Sequence, residues 1–413
     1  MLNLIKNNNI FSRKIIKNLS IGAFIRDLGQ YMIWVIMSVY LNQARSLSYI
    51  DIGFIFLIGG LMSVPISSVG GNLMDRFGRR KFETILPWIL FSISIVMFIL
   101  VYFDIYTLIL VSLFIVEEPL LALQWVTMNT IVSDVTEDIE RISGYSKLRI
   151  ASNAGIGIGL VLGGLLATVN YSYIFILSII GFSAEGIIYY FHIPETAKNI
   201  NLKFEHIKLK NTGIKIPLHD IPFVIVSTII AFGWFFTGMF ESPLTPLYMS
   251  SINHFSLFKI TLLFAINAFI VIVFQNTVNK IFINTKDHVR IILGLILFSL
   301  GYIIFAEFAF YSTVVIGVII LTFGENISAP ASIALISKMA PEETRGTYMG
   351  FNSSIQSLIN PFRPFVATIL LAATVSRPYI SWLILGFISF FIALIFILIF
   401  NVIFKIRIKK GSE

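Results

Sequence analysis

Twelve long apolar segments limit what this chain can fold into more than any other feature of its sequence. An α-helix needs about 20 apolar residues to cross the hydrocarbon core of a bilayer. Backbone groups in lipid must bond within their own segment, so these segments predict helices. The sequence therefore predicts an all-α integral membrane protein with 12 transmembrane helices. The segments are 20–43, 50–69, 84–103, 106–133, 148–169, 171–192, 219–249, 256–282, 289–309, 312–337, 346–375 and 378–404.

The composition and the placement of charge agree with this prediction. Charged residues make up 13% of the 413 residues, whereas a soluble domain carries about 25%. With both termini cytoplasmic, 25 of the 30 Lys and Arg residues fall on the inside, 3 in outer loops and 2 within spans. The positive-inside rule therefore predicts cytoplasmic termini in a multi-pass protein of the cell membrane. Because the basic residues occupy short loops between spans, the formal charge of +8 does not indicate nucleic-acid binding.

A ten-residue motif joins the second and third segments, and it reads Gly71-Asn-Leu-Met-Asp75-Arg76-Phe-Gly78-Arg79-Arg80. Gly71 and Gly78 permit the positive φ and the close backbone approach that a tight turn needs. The arginines are costly to move across hydrocarbon, so a plain positive-inside anchor is one interpretation. The spacing strongly resembles the signature loop of the major facilitator superfamily.

The resemblance implies two six-helix bundles, which we place at residues 1–192 and 219–413, with a cytoplasmic linker at 193–218. It also implies a transporter that moves a small molecule by alternating access to a midplane cavity between the halves. In this superfamily, segments 1, 2, 4, 5, 7, 8, 10 and 11 usually face the cavity, and segments 3, 6, 9 and 12 usually face lipid. We further expect a monomer. No cofactor or metal is expected, since the chain has no Cys and five scattered His.

In the superfamily the motif acts as a conformational latch. Asp75 is expected against the N-terminus of segment eleven, where free N–H groups and the helix dipole favour a negative charge. Arg79 or Arg76 is expected to pair with Asp134 at the inner end of segment four. Solvated charges in a turn are the alternative interpretation.

Segment five carries closely spaced glycines at Gly155, Gly159, Gly163 and Gly164. Small residues at this spacing let helices approach closely. The pattern resembles the segment-five motif of the superfamily's drug–proton exchangers, although Leu160 stands where that motif usually has Pro. Packing alone is the alternative explanation.

Seven charged residues within the spans are candidate coupling or cavity residues, because a charge at the bilayer centre costs about 2.5–3.5 kcal/mol. Glu118 and Glu325 are the leading candidates for proton binding, since both lie near the middle of their segments and burial favours a protonated carboxyl. Arg363 is their expected counter-charge. A structural ion pair between helices is the alternative for each residue. The seven are Arg26, Asp27, Glu117, Glu118, Glu241, Glu325 and Arg363.

Two further expectations concern charged residues in spans. Arg26 and Asp27 are adjacent, so they point about 100° apart on a helix and need not pair. Glu185 and Glu307 fall on segments expected to face lipid and are interpreted as packing or interface residues. Segment four also lacks the Arg that the family's motif in this segment usually carries.

The acids in the spans and the segment-five glycines favour a proton-coupled exporter of amphipathic or cationic small molecules. A proton symporter that imports a sugar, a carboxylate or a similar metabolite is the alternative, with Arg363 holding an anionic group. A receptor or channel would not require the latch. Nothing predicts an enzyme, because the sequence has no Cys–His pair and no phosphate-binding Gly-x-x-x-x-Gly-Lys motif.

Overall fold

The computed structural model describes residues 2–136, 138–196, 217–306, 310–341 and 344–410. These residues form helices joined by short connections, with no strand among them, so the predicted all-α class is confirmed. The helices are α1 Leu2–Gln43, α2 Tyr49–Phe77, α3 Arg79–Tyr102, α4 Thr107–Val135, α5 Asp138–Val169, α6 Ile174–His192, α7 Ile221–Thr237, α8 Leu244–Ser251, α9 Leu257–Ile281, α10 Asp287–Ala306, α11 Tyr311–Met339, α12 Arg345–Ile359, α13 Phe362–Ala373 and α14 Tyr379–Lys410.

Eleven stretches of the described residues are long and apolar enough to cross a membrane. With α1, which contains the first apolar segment, they match the twelve segments that the sequence predicts. α1 is longer than the first segment, because the helix extends toward the N-terminus as far as Leu2.

Two of the spans contain a break in the helix. The seventh consists of α7, a 3₁₀ turn at Gly238–Glu241 and α8, and Pro243 follows that turn. The eleventh consists of α12 and α13, which meet at Pro361. Proline lacks an N–H and cannot continue the helical hydrogen bonds. However, α4 and α11 continue through Pro119 and Pro330, so proline alone does not decide where a span breaks.

The connection between α2 and α3 is a single glycine. α2 continues to Phe77 and α3 begins at Arg79, so the turn of the motif is at Gly78, and the turn role expected of Gly71 is wrong because that residue lies within α2. Gly78 has a φ of 91°, a left-handed value that strains any residue with a Cβ atom. Glycine at this one position therefore allows the chain to leave one helix and enter the next at once.

The first compact unit contains residues 1–206 and 254–268. In it, α1 packs against α5 and α6, α2 packs against α4, and α3 packs against α4 and α6. An apolar core cluster joins α1, α4, α5 and α6 and includes Leu19, Met128, Ile131, Leu148 and Tyr189. Helix α1 is thus held between two other helices of its own unit.

The second compact unit contains residues 207–253 and 269–413. In it, α10 packs against α11 and α14, and α7 packs against α12 and α14. Its core includes Phe223, Ile230, Leu295, Ile336 and Phe396. The predicted bundles at 1–192 and 219–413 stay a prediction, since the contacts group the start of α9 with the first unit.

Candidate functional site

Three glycines of α5 form a stripe that faces α1. Gly155, Gly159 and Gly163 are four residues apart and so share one face of the helix. Gly164, one position further on, faces α9. A Cβ atom added to the stripe would collide with α1 at the carbonyl groups of Phe24 and Leu28 and at the side chain of Met32. The close helix approach that these glycines predict is therefore present in the structure.

Arg26 and Asp27 pair with each other in spite of their adjacent positions on α1. Nε and Nη2 of Arg26 donate to Oδ1 and Oδ2 of Asp27 at 2.8 and 3.0 Å. The long arginine side chain bridges the angle between the two Cα–Cβ directions. Ser152 of α5 also donates to Asp27, and Nη1 of Arg26 lies 2.9 Å from the sulfur of Met128 on α4. This geometry is that of an ion pair sealed between helices.

Glu185 does not face lipid. Its side chain is 0% exposed within the first unit, and Oε1 lies 3.8 Å from Nη1 of Arg26. Glu83, on α3, is equally buried and interacts electrostatically with both Glu185 and Arg26. This burial agrees with the interpretation of Glu185 as a packing or interface residue, and it arises because α6 packs against both α1 and α3. Glu307 lies outside the described residues.

The two adjacent acids of α4 point to different neighbours. Glu117 is 1% exposed, and Gln30 of α1 lies beside it. Glu118 is half-buried and faces α2, where its carboxyl lies against Gly59. Consecutive residues on a helix point about 100° apart, which explains the two directions. Of the two, Glu117 and not the favoured Glu118 is the fully buried acid.

Arg363 of the second unit lies at the break in the seventh span. Its Nη2 donates to the backbone carbonyl of Trp234 at 3.1 Å and to Oδ1 of Asn360 at 3.0 Å. The guanidinium group packs directly over Gly238, where any side chain would collide with it. Glu241, in the 3₁₀ turn, interacts electrostatically with Arg363. The broken helix thus brings together a cation, a carboxyl and a backbone carbonyl that accepts from the cation.

Tyr302 of α10 forms hydrogen bonds with the backbone at this break. Its hydroxyl donates to the carbonyl of Thr237 at 2.5 Å and accepts from the N–H of Phe240 at 3.1 Å. The side chain is fully buried. Backbone groups that a broken helix leaves without partners are costly to bury, so this hydroxyl stabilises the break.

Glu325 lies on α11 of the second unit and is half-buried. The next residue, Asn326, is fully buried, and its carbonyl accepts a hydrogen bond of 2.9 Å from Nε2 of Gln275 on α9. A polar side chain of α9 therefore binds the backbone of α11 next to Glu325.

The latch motif is part of a polar network at the start of α3. Arg79 donates to Asp134 at the end of α4, which is the pairing that the sequence predicts. Thr196 donates to the same carboxylate at 2.8 Å. Glu195 accepts from the backbone N–H groups of Arg79 and Arg80 at 3.0 and 3.3 Å, and so caps α3. Gly71, Asp75 and Arg76 lie in α2, but the surroundings of Gly71 and the side chains of Asp75 and Arg76 are outside what the structure describes.

The sequence profile of the family described as the Major Facilitator Superfamily matches residues 19–360 and 290–410. The chain belongs to the Major Facilitator Superfamily. It is therefore a multi-pass membrane protein and a secondary transporter rather than an enzyme.

Two superfamily relatives from Bacillus subtilis (strain 168) resemble the chain over most of its length. An uncharacterized MFS-type transporter, YttB, is 22% identical over 346 residues, which covers 82% of this chain and 84% of the relative. Multidrug resistance protein 1 is 24% identical over 367 residues, which covers 87% of this chain and 90% of the relative.

Solved superfamily structures share the fold at low sequence identity. A POT family transporter in complex with 5-aminolevulinic acid superposes with a TM-score of 0.72 at 16% identity, covering 94% of this chain and 96% of its own. A D-xylose-proton symporter superposes with a TM-score of 0.69 at 17% identity, covering 94% and 97%. These likenesses establish the fold and leave the substrate open.

Three residues of this superfamily member escaped the sequence reasoning. Glu83 follows a run of basic residues and precedes the predicted third segment, 84–103, although it lies in α3. Glu195 lies in the predicted linker, and only the fold brings it to Gly78. Tyr302 is one of 15 tyrosines, and nothing in its sequence position indicates a helix break 65 residues away.

Proposed function

We propose that this transporter exports amphipathic or cationic small molecules in exchange for protons. Glu117 carries the proposal, because a carboxyl that is 1% exposed in an apolar span requires either a cation or a proton. Among the described residues, neither Glu117 nor Glu118 forms a salt bridge. The similarity to multidrug resistance protein 1 supports export as the direction.

In this proposal Glu117 and Glu118 have different roles. Glu117 points toward α1 and Gln30, in the interior of the first unit, and holds the proton. Glu118 points toward α2 and is half-buried, which leaves it available to a cation from the cavity. A bound cation favours the ionised form of a carboxyl, so cation binding and proton release are linked at this pair. This linkage is the exchange reaction.

The test uses purified protein in lipid vesicles with an imposed pH gradient and ethidium as the cationic probe. Exchange predicts that ethidium accumulates on the acidic side, opposite to the proton flow. Glu117→Gln is expected to abolish the accumulation, because glutamine keeps the shape and cannot exchange a proton. Asp104→Asn is the matched control, since that carboxylate is 69% exposed in a connecting turn. Accumulation that survives Glu117→Gln would overturn the assignment of this residue.

A proton symporter is the second candidate, and Arg363 is the observation that favours it. A guanidinium at a broken helix, beside a carboxyl, is suited to hold an anionic group of a substrate. The D-xylose-proton symporter shares the fold. In the same vesicles, symport predicts uptake of a sugar or a carboxylate with the proton flow. Arg363→Gln is expected to raise the concentration at half-maximal uptake for a carboxylate and to leave a neutral sugar unaffected.

We further propose that the network of Arg79, Asp134, Glu195 and Thr196 acts as the cytoplasmic latch, with both termini on that side. It joins the start of α3, the end of α4 and the residues after α6. The charge-assisted bonds of this network come from two carboxylates: Glu195 caps a helix, and Asp134 binds an arginine. All four residues belong to the first unit, so the network would hold these elements together while two six-helix halves, at 1–192 and 219–413, rock in each cycle.

A further inference from the structure

Two carboxyl groups in the interior of the first unit interact with each other and have no part in the proposed exchange at Glu117 and Glu118. Glu83 on α3 and Glu185 on α6 are both 0% exposed. None of their four carboxyl oxygens has a hydrogen bond. An ionised carboxyl without a partner is far too costly to bury, so at least one of this pair must be neutral.

The charged and titratable groups that face the pair show which carboxyl is neutral. Arg26 is the facing cation, and its Nε and Nη2 are bound to Asp27. Its remaining Nη1 lies 3.8 Å from Glu185, whereas Glu83 forms no salt bridge among the described residues. Tyr189 lies beside Glu185, and its hydroxyl donates to the carbonyl of Leu19 at 3.1 Å. Glu185 therefore has a cation 3.8 Å away for its ionised form, whereas Arg26 acts on Glu83 only from a greater distance.

A second observation points to the same carboxyl. Gln124 of α4 lies beside Glu185 and is 0% exposed, yet neither its amide nitrogen nor its amide oxygen has a partner. Buried amide groups are nearly always hydrogen-bonded. An NH₂ group next to a carboxyl can donate to the ionised form, and the amide oxygen can accept from the protonated form. Gln124 is thus placed to serve both states of Glu185.

We propose that Glu185 is an exchangeable proton-binding site inside the first unit, with Glu83 kept neutral beside it and with Arg26 and Gln124 holding the ionised form. Release breaks the O–H bond of Glu185, leaves the electron pair on the carboxylate and passes the proton to water. The two helices that carry the pair also adjoin the proposed latch, since Glu83 lies one turn after Arg79 on α3 and Glu195 follows α6. Its role in transport rests on the proposed function, whereas proton binding itself does not.

The test is an infrared pH titration of the full-length protein in lipid nanodiscs, which follows the C=O stretching band of protonated carboxyl groups. The difference between wild type and Glu185→Gln is expected to contain one carboxyl that loses its proton as the pH rises. The difference between wild type and Glu83→Gln is expected to contain a protonated carboxyl that does not titrate. Asp104→Asn, at an exposed carboxylate, is expected to leave the band unchanged.

Arg26→Gln keeps the test decisive if Glu185→Gln does not fold. It is expected to move the Glu185 transition to higher pH, because the ionised carboxyl loses its cation. A titration that is identical in wild type and Glu185→Gln overturns the proposal, as does loss of the transition in Glu83→Gln. A transition that moves with sodium concentration would identify a metal-cation site instead. The readout needs no substrate, so failure of the proposed export leaves this result intact.

Discussion

Replacement of Tyr302 by phenylalanine isolates the hydroxyl group that stabilises the broken seventh span. The ring keeps its neighbours, because it stacks on Trp382 with 5.8 Å between centroids and a 25° interplanar angle. What is lost is the hydrogen bond to the carbonyl of Thr237 and the one from the N–H of Phe240. Both backbone groups are then buried without that partner.

The expected cost follows from these two bonds. A buried donor or acceptor that loses its partner costs about 1–3 kcal/mol, so we expect Tyr302→Phe to lose about 2–4 kcal/mol of folding free energy. Local opening at the break should become easier by a similar amount. A change of about 2 kcal/mol corresponds to roughly 30-fold faster hydrogen exchange at the Phe240 amide.

The measurement compares unfolding in mixed micelles and hydrogen–deuterium exchange for Tyr302→Phe and Tyr379→Phe. Tyr379 is the matched control, since its side chain is 42% exposed. The reasoning is refuted if the two variants unfold within about 0.5 kcal/mol of each other, the range of ordinary surface substitutions. An unchanged exchange rate at Phe240 would likewise show that the hydroxyl does not stabilise the break.

Three further predictions concern the helix stripe and the latch. Gly159→Ala is expected to destabilise the protein by about 1–3 kcal/mol, since the added Cβ collides with the carbonyl of Leu28. Gly350→Ala is expected to stabilise it by about 0.5–1 kcal/mol, since nothing lies within 4 Å of that Cβ; thermal unfolding that moves both variants in the same direction contradicts the close approach. A double-mutant cycle of Arg79→Gln and Asp134→Asn should give a coupling of about 0.5–3 kcal/mol, and additive effects would rule out the ion pair. Asp75→Asn is expected to abolish vesicle transport while membrane insertion and helical content persist, and normal transport would exclude the latch.

The length and apolarity of the segments already determine the class of this protein. Lipid offers no partners to backbone groups, so an apolar stretch of about 20 residues has little choice except a helix. The signature motif also indicates the family from the sequence alone, because the resemblance depends only on residue types and their spacing. The glycine stripe of α5 is also predictable from the sequence, because spacing along one helix fixes which residues share a face.

Which charged side chains meet was decided by the tertiary structure. Glu185 lies on a segment that usually faces lipid in this superfamily, but α6 packs on α1 and α3, and this residue is directed inward to Arg26. Glu195 and Gly78 are far apart in sequence, and the contact between them depends on how α3 and α6 lie together. Periodicity orients a residue on its own helix. The partner across the interface depends on packing between helices, which no local pattern encodes.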